Sequence, residues 1–405
     1  MIGIDNLCAC GIAEWNKTNE CSDLKNWYID EEQRQHVEVQ TDKIMKEILP
    51  FWRAFPNTPR SQKRWRQKGL KAIDSWMNQG DLPLFKEMDR EVAELFREIT
   101  FSFLRDVRSF DRQLSLADTM QALRNVWIIA ILQCLFKKQI GYHPAMFAYS
   151  MLYPYTDNFL DDEHYSAADK NAFNDWLDAR LRGIGGHPRN DHEVKIDRLV
   201  GMIERQFPRK TYPLVYESLY EIQSAQIASL RQQDGMRICT TDELLAISYR
   251  KGGTSVVADG ALIDGMLNEK ELSFCMKYGF MLQLGDDIQD AHIDGKHHHQ
   301  TLASMYSEVH YDVFIRKLLQ YVEDICTEFK TYADPTLVNF VAENCRYLIF
   351  ASLLQHDAVA ISPILKREVQ QCLPVSQGFI DDKKALWPYS YTEEEWWARL
   401  DVLLQ

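Results

Sequence analysis

Apolar residues recur at steps of three and four along nearly the whole 405-residue chain, and no stretch alternates convincingly between apolar and polar positions. That periodicity sets one side of a 3.6-residue helix against a core and argues against half-buried strands. The chain is therefore expected to be all-α, without an internal repeat. The spacing predicts helices over 31–48, 83–107, 115–138, 143–163, 167–182, 191–205, 212–233, 241–265, 269–293, 307–330, 335–361 and 392–404. Two of these starts carry their own chemistry. Thr240 and Asn268 each stand three residues before a glutamate, Glu243 and Glu271. In that pattern the first side chain accepts from an orphan amide and the glutamate reaches back. Glycine, proline and Asx residues cluster at 182–191 and 231–241, which predicts loops. Both are short, so residues 81 to 361 are expected to form one continuous bundle, within a main domain of 81–405. Residues 1–80, with the basic run SQKRWRQKG, are expected to be an accessory helical segment.

The pattern is interrupted at two places by acid. In GDDIQD, residues 285–290, Asp286, Asp287 and Asp290 continue a stripe that runs through Leu272, Met276, Gly279 and Gln283. Ionised carboxylates taken out of water cost several kcal/mol each unless they are paired or bound to a cation. Residues three and four apart on a helix lie roughly 5–6 Å from one another at Cβ, so this set can hold a divalent ion. Taken alone, such a cluster is more often a solvated helix end. The second cluster, DNFLDDE, repeats the arrangement: Asp157 and Asp161 are four apart, flanked by Asn158 and Asp162, at the end of the apolar run YHPAMFAYSMLYPYT. Two acid-tipped helices facing each other would form an oxygen-rich cage suited to Mg2+. The Glu-x-x-His pairs of a di-iron bundle are missing.

Between the clusters lies SYRKGGTSVVADG. Tandem glycines cost about 1 kcal/mol each in a helix relative to alanine, so Gly252 and Gly253 predict either a break or a close helix contact. A break would let Arg250, Lys251, Thr254 and Ser255 present cations and donors to an anion, most plausibly a diphosphate bridged by the metals.

Charge and composition narrow the partners. A formal net charge of −13 argues against general binding to nucleic acid or to an anionic membrane surface. No apolar run reaches the length of a membrane span, the best being VWIIAILQCLF, and the N-terminus has no secretory pattern, so a cytoplasmic location is expected. The nine cysteines are scattered mostly as single residues, which suits reduced thiols. Zinc at Cys8, Cys10 and Cys21 lacks the usual paired spacing. A homodimer stays open.

With both clusters in view, the chain resembles the class I isoprenoid synthase superfamily, the trans-prenyl diphosphate synthases and the terpene synthases built on their fold. YGFMLQLGDDIQD is similar to that family's second aspartate region, including Gln283, and DNFLD resembles the first, with Asn158 in place of an aspartate. The first aspartates of the two clusters, 157 and 286, are 129 positions apart, and KGGT precedes the second. The likeness covers about residues 115–310. It implies an antiparallel helix bundle around a central apolar cavity, with three Mg2+ ions bridging the aspartates to a prenyl diphosphate. On that likeness Asp157 and Asp161, with Asp162, hold ions on one wall, and Asp286, Asp287 and Asp290 on the other. Lys251 contacts the diphosphate, and Arg250, Thr254 and Gln283 complete its surroundings.

The departures bear on the reaction. Chain-elongating members resemble one another in cationic elements that bind a second diphosphate, and DDEHYSAADKNAF lacks the arginine pair expected after the first motif. That favours a terpene synthase working on one substrate. The second motif, without a cyclase-type Asn-Ser-Glu triad, keeps a chain-elongating or head-to-head prenyltransferase as the alternative. A non-catalytic partner subunit of the same fold is the third reading. Arg346-Tyr347 resembles a diphosphate-gripping pair of some terpene synthases, and HHH at 297–299 is expected to be a solvated loop.

Overall fold

The computed structural model describes residues 3–78, 90–162, 164–233, 238–305, 308–355, 361–386 and 391–405, and the described residues are helices joined by turns, with no strand. In chain order the helices are α1 (Ile4–Lys17), α2 (Glu31–Arg53), α3 (Pro59–Asn78), α4 (Arg90–Phe110), α5 (Leu116–Leu135), α6 (Pro144–Asp161), α7 (Ala167–Arg182) and α8 (Asp191–Gln206). They continue with α9 (Pro213–Ser229), α10 (Thr241–Asp264), α11 (Glu269–Lys296), α12 (Glu308–Phe329), α13 (Pro335–Gln355), α14 (Pro363–Cys372), α15 (Gln377–Leu386) and α16 (Glu393–Leu404). The chain is all-α. Both predicted capping boxes are present at Thr240 and Asn268, and two more stand at Ser166 and Thr392. The predicted residues 83–89, 163, 307 and 356–360 lie outside the described residues.

Two compact units divide the chain: residues 1–22 with 121–363, and residues 23–120 with 364–405. The segment 1–80 is thus distributed over both. In the first unit α11 is the central helix, buried on every side from Phe274 to Met281. It packs on α10, α12 and α13, while α10 also meets α6 and α9. Trp15 of α1 inserts edge-on against Phe280 and Tyr321, each with ring centroids 5.3 Å away, and this ties the N-terminal helix to α11 and α12.

At Gly252 and Gly253 no break occurs. The helix runs unbroken from Thr241 to Asp264. The glycines serve close packing instead: a methyl on Gly252 would overlap the carbonyl oxygen of Gly279, and one on Gly253 would stand 2.7 Å from the terminal methyl of Met276. Gly252 facing Gly279 and Gly260 facing Cys275 make α10 and α11 an antiparallel pair in near backbone contact.

The second unit is built on aromatic contacts. Trp65 of α3 is buried against Phe51, Trp52 and Phe55 of the α2 end, stacked on Phe51 at 4.3 Å. Trp52 meets Trp396 of α16 at 5.0 Å. Arg108 pairs with Asp401 at 2.9 Å while its guanidinium lies 4.4 Å above Trp397. Among the described residues one helix, Pro335–Leu354, is long and apolar enough to cross a membrane, and half of that stretch is buried inside the protein.

Candidate functional site

Five helices of the first unit, α5, α6, α9, α10 and α11, bring the site together. Asp157 stands in the last turn of α6, a helix capped by His143 and opened by Pro144. It is 8% exposed, and its Oδ1 lies 3.3 Å from Nζ of Lys251 on α10. Gln226 of α9 donates to the same oxygen at 3.5 Å. Across from it, α11 carries Asp286, whose Oδ1 is 3.7 Å from a guanidinium nitrogen of Arg124 on α5. Asp157, Lys251, Asp290 and Arg124 all act electrostatically on Asp286, so both acid clusters belong to one charge system.

Asp287 points to the other side of α11 and is 5% exposed. Gln283 donates to its Oδ1 at 2.9 Å, and Ser248 of α10 to its Oδ2 at 3.4 Å. Burial raises the Asp287 carboxyl from 3.8 to about 7; Gln283 and Lys251 pull it down, and Asp294 and Asp286 push it up. Asp286, whose side chain still reaches solvent over 45% of its surface, is raised less, to about 6. Burial is again the largest cause, opposed by Arg124 and reinforced by Asp290. The carboxyls Asp157, Asp286, Asp287 and Asp290 thus face two cations, Lys251 and Arg124.

The other sequence-derived residues are placed as follows. Asp161 ends α6, and its side chain lies outside the described ones. Asp162 is the C-cap, where its Oδ1 accepts the backbone N–H of His164 at 2.8 Å and lies 2.7 Å from Nδ1 of that residue's ring. These bonds hold its carboxyl below the usual range. Asp290 is exposed on α11. Arg250 is turned away from Lys251: its guanidinium bridges Asp5 of α1 and Glu221 of α9, each at 2.7 Å. Thr254 is fully buried and its hydroxyl donates back to the Arg250 carbonyl at 2.7 Å, the usual retreat of a threonine inside a helix. Arg346 is paired with Glu323 of α12, and His297 and His298 are exposed beyond the end of α11.

Sequence reasoning missed Arg124, Gln121 and Gln226. Gln121 accepts from Asn158 at 3.3 Å, so α5 touches the first cluster as well as the second. A signal existed for Gln226: with Gln223 and Ser229 it forms a buried polar row on an otherwise apolar helix. Arg124 carries no such mark.

Beneath Asp157 the side chains of Tyr149, Leu152, Tyr153 and Thr156 from α6 meet Leu177, Leu219 and Gln226 around a small apolar cavity of about 30 Å³. That is room for a water or two, against roughly 300 Å³ or more for an ordinary small-molecule pocket. Tyr149 closes it, its hydroxyl donating to the Ser255 carbonyl at 3.0 Å.

The donors offered to a metal are carboxylate oxygens, the set that suits a hard divalent cation. Among the described residues no three His, Cys, Asp or Glu side chains gather closely enough to hold one. Instead Lys251 and Arg124 stand beside Asp157 and Asp286.

The chain matches no protein-family model and no curated protein. Solved structures similar to the chain include two prenyl diphosphate enzymes by name. One, from Marinomonas sp. MED121, is named provisionally as a farnesyl-diphosphate synthase; it is 13% identical, covering 73% of this chain and all of that one, with a TM-score of 0.37. The other, a geranyltransferase from Legionella pneumophila, is 14% identical, covering 72% of this chain and 99% of that one, with a TM-score of 0.35. At identities and scores this low the likeness stands as a similarity and no more.

Proposed function

We propose that this chain is a Mg2+-dependent class I isoprenoid synthase, and specifically a terpene synthase that ionises one allylic prenyl diphosphate and lets the carbocation cyclise or be quenched. One observation carries the reading: Asp157 from α6 and Asp286 from α11 enter a single charge system with Lys251 from α10. Asp157, Asp286 and Asp290, with Asp161, would hold Mg2+, which supplies Lewis-acid stabilisation of the departing diphosphate.

The chain's own residues do the rest. Lys251 reaches the diphosphate by exchanging its contact with Asp157 for one with phosphate oxygen, a charge-assisted bond that strengthens as negative charge builds on the leaving group. Asp286 serves a cation only when ionised, so Mg2+ competes with the proton that burial favours and its binding weakens as pH falls. The prenyl chain enters beside Leu152 and Tyr153, and this requires side chains around the small cavity to move apart. Tyr149 and Tyr153 then offer ring faces to the cation.

Arg124 favours a second reading. A half-exposed guanidinium beside the second cluster could receive the diphosphate of a second substrate, as prenyl transfer requires. The test is incubation of the purified protein and Mg2+ with geranyl, farnesyl and geranylgeranyl diphosphates, each with and without isopentenyl diphosphate. Hydrocarbon or alcohol plus pyrophosphate from the allylic substrate alone is the expected result. A diphosphate lengthened by five carbons would instead establish prenyl transfer, and no turnover of any substrate would leave the fold as a non-catalytic subunit.

A further inference from the structure

The basic run that sequence reasoning set aside forms one face of α3. Arg60, Lys63, Arg64, Gln67, Lys68 and Lys71 are exposed and follow one another at alternating steps of three and one, so they fall within roughly 140° of arc at 100° per residue. The row is roughly 17 Å long at 1.5 Å per residue. The opposite side of the helix is spent inside the second unit. Trp65 is buried among Phe51, Trp52 and Phe55, and a methyl on Gly69 would stand 2.6 Å from the Phe51 ring. Arg66 turns inward to donate to the Leu403 carbonyl at 3.2 Å. Among the described residues none of the five outward cations makes an ion pair, although carboxylates outnumber cations 59 to 46 in the chain. The acid on this helix that does pair, Asp74, is taken by Arg97 of α4.

We propose that this face of α3 docks the protein peripherally on an anionic lipid surface. The inference goes beyond the reading of the acid site and does not depend on it. Charge complementarity carries it: five cations in a line on a convex helix, held rigid from behind, match a plane of mobile anionic headgroups that can gather beneath them. Such contacts act within a Debye length of about 10 Å, so the local charge of this face counts for more than the net charge of the chain. The face suits nucleic acid less well. The row holds no aromatic side chain for stacking, Trp65 being buried on the opposite side, and Gln67 is its one uncharged polar side chain. The flat binding also needs no apolar insertion, and no large apolar residue of α3 is exposed among the described side chains.

The experiment is co-sedimentation of the full chain with phosphatidylcholine vesicles, with and without about one third phosphatidylserine. Binding to the anionic vesicles alone is expected, with loss at roughly 0.5 M salt. The triple variant K63E/R64E/K68E should lower it at least about tenfold, since each cation near the surface contributes separately. A charge-matched variant at exposed lysines elsewhere, K17E/K137E/K384E, should retain most of it, and thermal unfolding checks that both variants fold. Equal binding to neutral vesicles, no binding to either, or an undiminished triple variant would overturn the proposal. So would tighter binding to a short duplex DNA than to the anionic vesicles.

Discussion

Replacing Asp287 by Asn isolates the cost of placing acid in the interior. The asparagine keeps the shape: its carbonyl oxygen can still accept from Gln283, and its amide can donate to the Ser248 hydroxyl. Only the charge is removed. The Asp287 carboxyl titrates near 3.8 when unfolded and near 7 when folded. Below about pH 4 both states are neutral and the substitution changes little. Between about 4 and 7 the unfolded chain is already ionised while the folded one holds its proton. There the wild type loses about 1.4 kcal/mol of stability per pH unit, and above about 7 the loss levels off. The full interval sets a ceiling of about 4 kcal/mol. Asp286 ionises over the same range and each charge raises the other, so about 2–4 kcal/mol is the expected gain for D287N at pH 8. Urea and thermal unfolding of both proteins in Mg2+-free buffer, followed by circular dichroism from pH 5 to pH 8, measure it. A variant no more stable than wild type at pH 8, or one with an unchanged pH slope, would refute the burial argument.

The remaining expectations concern the same site and the helices that build it. Gly252→Ala sets a methyl against the Gly279 backbone and should lower stability by about 3 kcal/mol, whereas Gly285→Ala, whose nearest neighbour is Leu348 at 3.5 Å, should fall within about 1 kcal/mol of neutral in the same melts. Lys251→Met leaves Asp157 buried without its cation and should cost about 3 kcal/mol, with turnover of the allylic diphosphate falling at least about a hundredfold in a pyrophosphate-release assay. Asp157→Ala, Asp286→Ala and Asp290→Ala should each abolish Mg2+-dependent turnover; metal-independent activity, or wild-type rates in all three, would sink the metal assignment. Mg2+ should raise the melting temperature of the wild type at pH 8 and raise that of D286A less, read by the same thermal scans.

The helices that carry the acid clusters were legible because their apolar stripes are long and end in a contradiction. Helices α6 and α11 hold their periodicity up to Asp157 and Asp286, and a carboxylate on a buried face announces itself whatever the fold. The capping boxes at Thr240 and Asn268 are local and could be read one residue at a time. Helix α1 was missed although Ile4, Cys8, Gly11 and Trp15 form its buried face, because two small residues weaken the stripe. Helix α3 was missed because its charges outnumber its anchors. The glycine pair left two readings open. A helix break and a close helix contact share the same local sequence, and only the partner glycine at 279 on α11 distinguishes them. Arg250 and Thr254 were likewise assigned from their neighbours in sequence. On a helix, Arg250 and Lys251 point about 100° apart, so one meets Asp5 and Glu221 while the other meets Asp157. Arg124 needed the fold, since nothing in LADTMQALRNVW distinguishes an arginine facing an acid from one facing water.

The charge balance around α11 gives these placements a common logic. Lys251 and Arg124 serve Asp157 and Asp286 at 3.3 and 3.7 Å, longer contacts than the 2.7 Å pairs of Arg250. A protein selected for resting stability alone would tighten those contacts or replace the acids with apolar residues of similar volume, which is often neutral or stabilising. Here the acids stay, two of them pushed toward neutrality, and the cations stand slightly back. Loose pairs can be exchanged at small cost when a multivalent cation and an anion arrive together, because each carboxylate then trades a long contact for a short one and each cation does the same. Arg250 and Arg346, locked in tight pairs, take no part in that exchange. The distances thus set the short pairs of Arg250 apart from the longer contacts of Lys251 and Arg124. Arg124, which no sequence motif singles out, belongs with Lys251 in this respect.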